Sequence, residues 1–271
     1  MYYSPILSFL RIIFFLLWTL ICAPVQFFFL FSSNYLFLIT RIYFKGLTII
    51  CGLKIQSSGT PRKNKTVFIS NHTSYLDILI LGSKLNGLFV AKSEIAKWPF
   101  INKLSQLAKT IFIDRNKIFS TKKQVEVLDY NLNKGFNIIL FPEGTSNDGN
   151  KVLPFKSSLF SIAELKKNKS FYFQPISITY THLDGMPISR IFRPFFAWYG
   201  DMDLISHAWR FLGMGNCEIN INYHKPIQFD HFLSRKELSN YCYKIISNQV
   251  SIDLGVLKNK DRLNLYNYKY L

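Results

Sequence analysis

Residues Ile12 to Phe31, IIFFLLWTLICAPVQFFFLF, run for 20 positions without a formal charge. Such a run has to leave water. As a helix rising 1.5 Å per residue, ~20 residues match the hydrocarbon thickness of a bilayer. Pro24 and Gln26 interrupt it, and Arg11 stands at its start. A cleaved signal peptide is the plainer alternative, but the apolar run is longer than an h-region and no A-x-A-like site follows. The expectation is a membrane-attached N-terminal helix, either spanning or entering one leaflet as half of a helical hairpin.

A second apolar stretch, Tyr35 to Leu53, holds Arg41 and Lys45 four residues apart, on one helical face. It reads as an amphipathic helix in the membrane interface. Arg62, Lys63 and Lys65 follow, so the positive-inside rule places the rest of the chain in the cytoplasm.

The charge fits the same picture. Lys and Arg number 33 against 16 Asp and Glu, a formal net charge of +17, which suits nucleic acid or an anionic membrane with anionic substrates. Mean hydropathy is +0.11, high for a basic nucleic-acid binder, and no recognition motif supports that partner. With 49% hydrophobic residues, a disordered solvating chain is excluded. Cys22, Cys51, Cys217 and Cys242 are scattered without a C-x-x-C pair, which implies no disulfide framework or thiolate zinc site and fits a reducing compartment.

From about residue 56 the texture changes. Strand patterns fall at Lys65–Ser70, Gly87–Ala91, Thr110–Ile113, Asn137–Phe141, Phe171–Thr179 and Glu218–Tyr223. Helical spacing follows Ser74 and recurs at Lys97–Leu107, Lys117–Asn133, Ser157–Lys167 and Arg235–Ile252. Alternation of this kind predicts an α/β domain with a mostly parallel central sheet flanked by helices. No repeat or Gly/Ser linker divides it. The expected organisation is an anchoring segment over 1–55, one domain over 56–260 and a tail over 261–271.

Four places can carry chemistry. Asn71-His72-Thr73-Ser74-Tyr75-Leu76-Asp77 falls where a strand ends and a helix begins, the place where reactive groups gather in parallel sheets. Asp77 on the first helical turn can hold one imidazole nitrogen of His72 and leave the other free as a base. Ser74-x-x-Asp77 equally fits a helix cap with an acid at N3. Phe141-Pro142-Glu143-Gly144-Thr145 follows a second buried-strand pattern. It reads as turn chemistry, or as a loop in which Gly144 admits an anionic ligand and Thr145 donates a hydroxyl. Glu143 would then position the acceptor or order the loop's own polar groups. Ile111-Phe112-Ile113-Asp114-Arg115 is a strand ending in a solvated ion pair, or one presenting the Arg115 fork to a phosphate. Gln174-Pro175-Ile176 says only edge or bent strand.

In order and spacing these four blocks resemble the glycerolipid acyltransferase family, most closely the 1-acylglycerol-3-phosphate acyltransferases. Asn71, His72 and Asp77 meet the N-H-x-x-x-x-D block. Ile111 to Arg115 meet the second, Phe141 to Thr145 meet F-P-E-G-T without change, and Pro175 meets the fourth. The resemblance spans roughly residues 65 to 180. It implies the family's α/β fold, His72 and Asp77 as catalytic residues, and substrate contacts from Arg115, Glu143, Gly144 and Thr145. Two positions depart from it. Ser146 stands where many relatives carry Arg, and Lys109 where many carry a small Gly. Lys92, Lys151 and Lys156 can supply the missing charge. Trp198-Tyr199-Gly200-Asp201 and His207 look like a feature of bacterial members, without a role evident from residue type.

The chemistry so implied is direct transfer. His72 removes the acceptor hydroxyl's proton as the oxygen attacks an acyl thioester, and no activated Ser or Cys beside it suggests an acyl-enzyme. The expected acceptor is 1-acylglycerol-3-phosphate, giving phosphatidic acid, with a lyso-ornithine lipid as the alternative. The expected donor is acyl-CoA or acyl carrier protein. The expected partners are membrane lipids, without nucleic acid, at the bacterial inner membrane with the domain facing the cytoplasm. A non-catalytic membrane-binding protein is the reading from another class. No metal or cofactor is required, and His182, His207, His224 and His231 lack metal-ligand spacing.

Overall fold

The computed structural model describes residues 3–29, 33–93, 99–113, 122–164 and 171–257. Helix α1 (Pro5–Phe28) begins where Ser4 accepts from the Leu7 N–H and Pro5, at the first helical position, forfeits no hydrogen bond. Helix α2 (Ser33–Ile50) packs against it. The Trp18 indole donates to the Tyr43 carbonyl at 3.0 Å and lies on Gly46, where any Cβ would collide with the ring.

Helix α1 also touches the rest of the chain near both ends. The Ser4 N–H donates to the Gly213 carbonyl, and Arg11 donates to the carbonyls of Leu212 and Met214. Towards the other end Gln26 donates to the Leu107 carbonyl. The opposite side is bare: Ile6, Phe9, Phe14, Leu17, Leu20 and Phe28 are all exposed. The helix is long and apolar enough to cross a membrane, and its uncovered apolar side makes it a candidate membrane anchor.

The second apolar stretch forms a helix with one apolar side on protein and another left exposed, at Leu38, Ile42 and Ile49. Arg41 and Lys45 are indeed exposed, but Phe44 and Leu47 are buried in the core against α3 (Leu76–Lys84). The helix stops at Ile50, and Leu53 already belongs to a strand. An apolar stripe has the same period whether lipid or protein covers it.

The strands are β1 (Leu53–Ser58), β2 (Thr66–Ser70), β3 (Leu88–Lys92), β4 (Ile111–Ile113), β5 (Ile138–Leu140), β6 (Tyr172–Leu183), β7 (Met186–Pro187) and β8 (Cys217–Tyr223). They form one sheet in the order β1-β8-β6-β2-β5-β3-β4, with β7 paired to β6. Strands β6, β2, β5, β3 and β4 are parallel, and β8 is antiparallel to β6 with β1 parallel to it. The fold is α/β with a mostly parallel central sheet flanked by helices. The remaining helices among the described residues are α4 (Pro99–Leu107), α5 (Lys122–Asn133), α6 (Leu204–Leu212) and α7 (Arg235–Asp253). Ser157–Glu164 is a 3-10 helix, and the rest of the expected segment, to Lys167, lies outside the described residues. Strands β1 and β7 and helix α6 had no counterpart in the sequence reading. The expected helix starts at Lys97 and Lys117 lie outside the described residues.

Side-chain alternation along the strands separates two cores. Phe68 and Ile139 face one side with residues of α2, α3 and α6. Val67, Ile69, Ile138 and Leu140 face the other with α5, α7 and the 3-10 helix. Fully burying each of these side chains is worth about 1.5–3 kcal/mol.

Pro175 corrects the edge-strand reading, because β6 lies inside the sheet. The Phe173 N–H bonds the Ile227 carbonyl, and the position of Pro175, two residues on, faces the same way. There the neighbouring chain turns after Tyr223, and Pro175 still accepts from the His224 N–H. The missing donor falls at the end of the β8 ladder, where it costs least.

Candidate active site

The site lies at the carboxyl ends of β2 and β5, adjacent parallel strands whose following loops carry His72 and Glu143. Asn71 fixes the first loop. Its side-chain amide donates to the Ile178 carbonyl and accepts from the Ile178 N–H, acting as a strand partner to β6 after β2 has ended.

His72 Nδ1 lies 2.9 Å from Asp77 Oδ2. The same carboxylate oxygen accepts from the Thr73 and Ser74 N–H groups, and the Tyr180 hydroxyl donates to Oδ1 at 2.7 Å. Four donors thus converge on one buried carboxylate. An acceptor facing Nδ1 selects the tautomer with the proton on Nδ1 and the lone pair on Nε2. The imidazole stacks on Phe141 with ring centroids 4.2 Å apart, and 20% of the side chain is open to solvent.

The capping reading of Ser74 is corrected by this geometry. The residue flanking α3 is Tyr75, without a side-chain cap, and the Ser74 hydroxyl is buried with no hydrogen-bond partner among the described residues. Asp77 does the capping from inside the helix, taking the Ser74 N–H, so it serves the helix start and the imidazole together.

Glu143 is 2% exposed and its two oxygens are already engaged. Oε1 accepts from the His72 N–H at 2.7 Å. Oε2 accepts from Asn147 Nδ2 at 2.6 Å and from the Leu153 N–H at 2.8 Å. Of the two roles the sequence left open for it, this arrangement is that of ordering the loop. Asn147 adds N–H donors to the His72 carbonyl, so the β5 loop holds the β2 loop through both of His72's backbone groups.

Gly144 has φ +75°, where glycine is favoured. A Cβ there would meet Lys156 Nζ at 2.8 Å, so the Lys156 side chain lies over the turn, with its backbone N–H on the Pro142 carbonyl. Thr145 is exposed beside it. Lys151 is also exposed, Lys92 is the last residue of β3, and Arg115 lies outside the described residues.

The two departures have separate explanations. Lys109 has φ +50° directly after α4, where the Lys109 N–H bonds the Gln106 carbonyl and the Thr110 N–H bonds Ser105. That is the helix-ending turn in which Gly is favoured, so the difference is one of backbone. Ser146 instead donates to the Trp198 carbonyl at 2.5 Å. The Trp198 N–H bonds the Thr73 carbonyl, its ring meets the Tyr75 edge, and the Tyr75 hydroxyl lies 3.2 Å from His207 Nδ1. Trp198 and, through Tyr75, His207 thus pack against the His72 loop.

Tyr180 is the residue that sequence reasoning missed. It lies 103 positions from Asp77 and reads as one more apolar strand residue. Burial first, and then the Asp77 charge, raises its pKa well above the usual 10.0, which keeps the phenol protonated as a donor. Tyr180→Phe should lower kcat about tenfold with KM unchanged, since a lost buried hydrogen bond of about 1–1.5 kcal/mol frees the carboxylate to turn. Steady-state kinetics beside a thermal melt checks this, and a change confined to KM would contradict it.

The Acyltransferase family model matches residues 54–179. A lyso-ornithine lipid O-acyltransferase of Rhizobium meliloti (strain 1021) is 34% identical over 208 residues, covering 75% of this chain and 71% of the relative. A 1-acyl-sn-glycerol-3-phosphate acyltransferase of Neisseria gonorrhoeae is 30% identical over 172 residues, 64% of each chain. Among solved structures, the 1-acyl-sn-glycerophosphate (LPA) acyltransferase PlsC from Thermotoga maritima superposes with a TM-score of 0.63 at 18% identity, over 93% of this chain and 97% of that one, a likeness of fold. The matched span runs from β1 into β6 and so takes in both the His72–Asp77 pair and the Phe141–Thr145 turn. On these grounds the chain belongs to the acyltransferase family.

Proposed function

We propose that the chain moves an acyl group from a thioester to the free hydroxyl of a lysolipid, with a lyso-ornithine lipid as acceptor. The observation that carries the chemistry is the Nδ1 pairing of His72 with Asp77, which leaves Nε2 as the base on a partly open ring. The acceptor hydroxyl gives its proton to Nε2 as its oxygen attacks the thioester carbonyl. The tetrahedral intermediate collapses with loss of the thiolate, which takes the proton back, so an ester and a free thiol result. Asp77 stabilises the imidazolium between the two transfers. No acyl-enzyme is invoked, since the neighbouring Ser74 hydroxyl is buried and makes no hydrogen bond to the imidazole among the described residues.

The choice of acceptor departs from the sequence expectation of 1-acylglycerol-3-phosphate. Support comes from relatives named for lyso-ornithine lipid in four bacteria, and from Ser146, whose hydroxyl donates to the Trp198 carbonyl where many relatives carry Arg. A phosphate acceptor is the second reading, favoured by the Lys156 side chain lying over Gly144. The proposed setting is the bacterial inner membrane with the site facing the cytoplasm, in keeping with exposed Arg62 and Lys63 after the anchor.

Membranes holding the protein, beside membranes lacking it, would be given either lysolipid with acyl-CoA or acyl carrier protein as donor. Acylated ornithine lipid formed at least about tenfold faster than phosphatidic acid, a difference of about 1.4 kcal/mol in transition-state binding, is the expected result. The reverse ratio moves the acceptor to 1-acylglycerol-3-phosphate, and no product from either removes the proposal.

A further inference from the structure

Between β7 and α6, among the described residues, large apolar side chains are exposed. Ile191 is 79% exposed, Phe192 52% and Phe195 46%, with Met186 on one flank and Ile205 on the other. Arg190 is exposed beside them, and no acid occurs between Asp184 and Asp201. Arg193 turns inward instead, donating to Asn150 Oδ1 with its Nε buried. Asp203, nearer Ile205, is held as the cap of α6 by the Ser206 N–H. Bulky apolar and aromatic groups around an exposed arginine match the interfacial layer of an anionic leaflet, where rings enter the acyl boundary and the guanidinium stays at the headgroups.

Two further observations argue for lipid as the occupant. First, the surface is continuous with α1. Helix α6 runs from Ile205 to the point where Ser4, Ser8 and Arg11 of α1 bond its last turn, and from there α1 presents its bare apolar side. Second, the root of this loop is tied to the dyad. Phe196 stacks on Tyr180, which holds Asp77, and Trp198 bonds Thr73 beside His72.

We infer that residues 186–195 with Ile205 form a second docking surface for an anionic lipid leaflet, seating the His72 site against the layer from which a lipid acceptor arrives. This deepens the proposed function, and it adds a contact distinct from α1.

The four native cysteines are buried, so a thiol-reactive fluorophore can be placed on Ile191→Cys in the full-length chain. Leu233→Cys is the control, 94% exposed and next to α7 on the other face of the sheet. In vesicles of phosphatidylglycerol and phosphatidylcholine, nitroxide-labelled lipid should quench the probe at position 191 several-fold more than that at position 233. Equal quenching, or protection of position 191 only when an acidic carrier protein is added, overturns the inference. This arm needs no turnover, so it stands apart from the acceptor assignment. The double variant Ile191→Asp, Phe192→Asp should slow transfer to vesicle-borne acceptor about tenfold, the penalty for placing charge in the acyl boundary, while leaving transfer to a monodisperse short-chain acceptor unchanged. Equal losses in both assays would make the loop's role structural and overturn it.

Discussion

His72→Ala should lower acyl transfer by about 10²–10⁴-fold with either lysolipid, the range that a positioned base supplies. The fold should survive, because the imidazole makes one side-chain hydrogen bond, to Asp77, and stacks on Phe141, while the backbone of residue 72 keeps its bonds to Glu143 and Asn147. Asp77→Asn is the sharper companion. An asparagine there can still accept from the Thr73 and Ser74 N–H groups and from Nδ1, and its amide can donate to the Tyr180 oxygen, so shape and hydrogen bonds persist and only the negative charge goes. A loss of about 10²-fold or more in kcat from Asp77→Asn, at unchanged melting temperature, would assign that share of the rate to stabilising the imidazolium. Wild-type rates in the His72→Ala chain, measured under single-turnover conditions, would end the assignment of His72 as base.

Glu143→Ala should destabilise the chain by about 3–5 kcal/mol, since three N–H donors lose their acceptor in a place that water reaches poorly. Activity falls with it, because the loop that holds His72 by both backbone groups is then untied. Burial pushes the Glu143 carboxyl from its ordinary 4.5 up to about 7, against the pull of the three donors. Between those two values the folded chain keeps a proton that the unfolded chain has lost. The contribution of this group is therefore fully present below pH about 4.5 and fades as pH rises towards about 7, by about 3 kcal/mol in all. Glu143→Gln removes that slope without restoring the site, because its NH₂ must face either His72 N–H or the Asn147 and Leu153 donors. Melting curves of wild type and Glu143→Gln at pH 5 and 7 test this. Parallel pH dependence in the two chains would place the slope elsewhere.

The sequence by itself determined the elements whose burial is complete on both sides or whose backbone is punctuated. Thr66–Ser70 and Ile138–Leu140 are buried throughout, and a continuous apolar run reads as a parallel-sheet strand. Helix α7 was legible to within a residue, because Ser234 caps it and Glu237 follows three positions later. The dyad was legible too, since His72 and Asp77 are joined by a single loop and helical turn. Strand β1, with its burial confined mostly to Leu53, left no pattern strong enough to read, whereas helix α6 was missed for its shortness although Asp203 caps an amphipathic stretch.

Tertiary structure decided what local spacing leaves open. Whether the stripe on α2 faces lipid or α3 depends on what packs there. That Pro175 can sit inside the sheet depends on where the neighbouring ladder ends. Whether Glu143 meets a substrate or a loop depends on three donors from residues 72, 147 and 153, and the donor to the second Asp77 oxygen comes from the far side of the chain's length. Periodicity and capping report the neighbours a residue has within a few positions. A buried carboxylate takes its partners from wherever the fold brings an N–H or O–H, because leaving it unpaired costs more than closing the long loop between them.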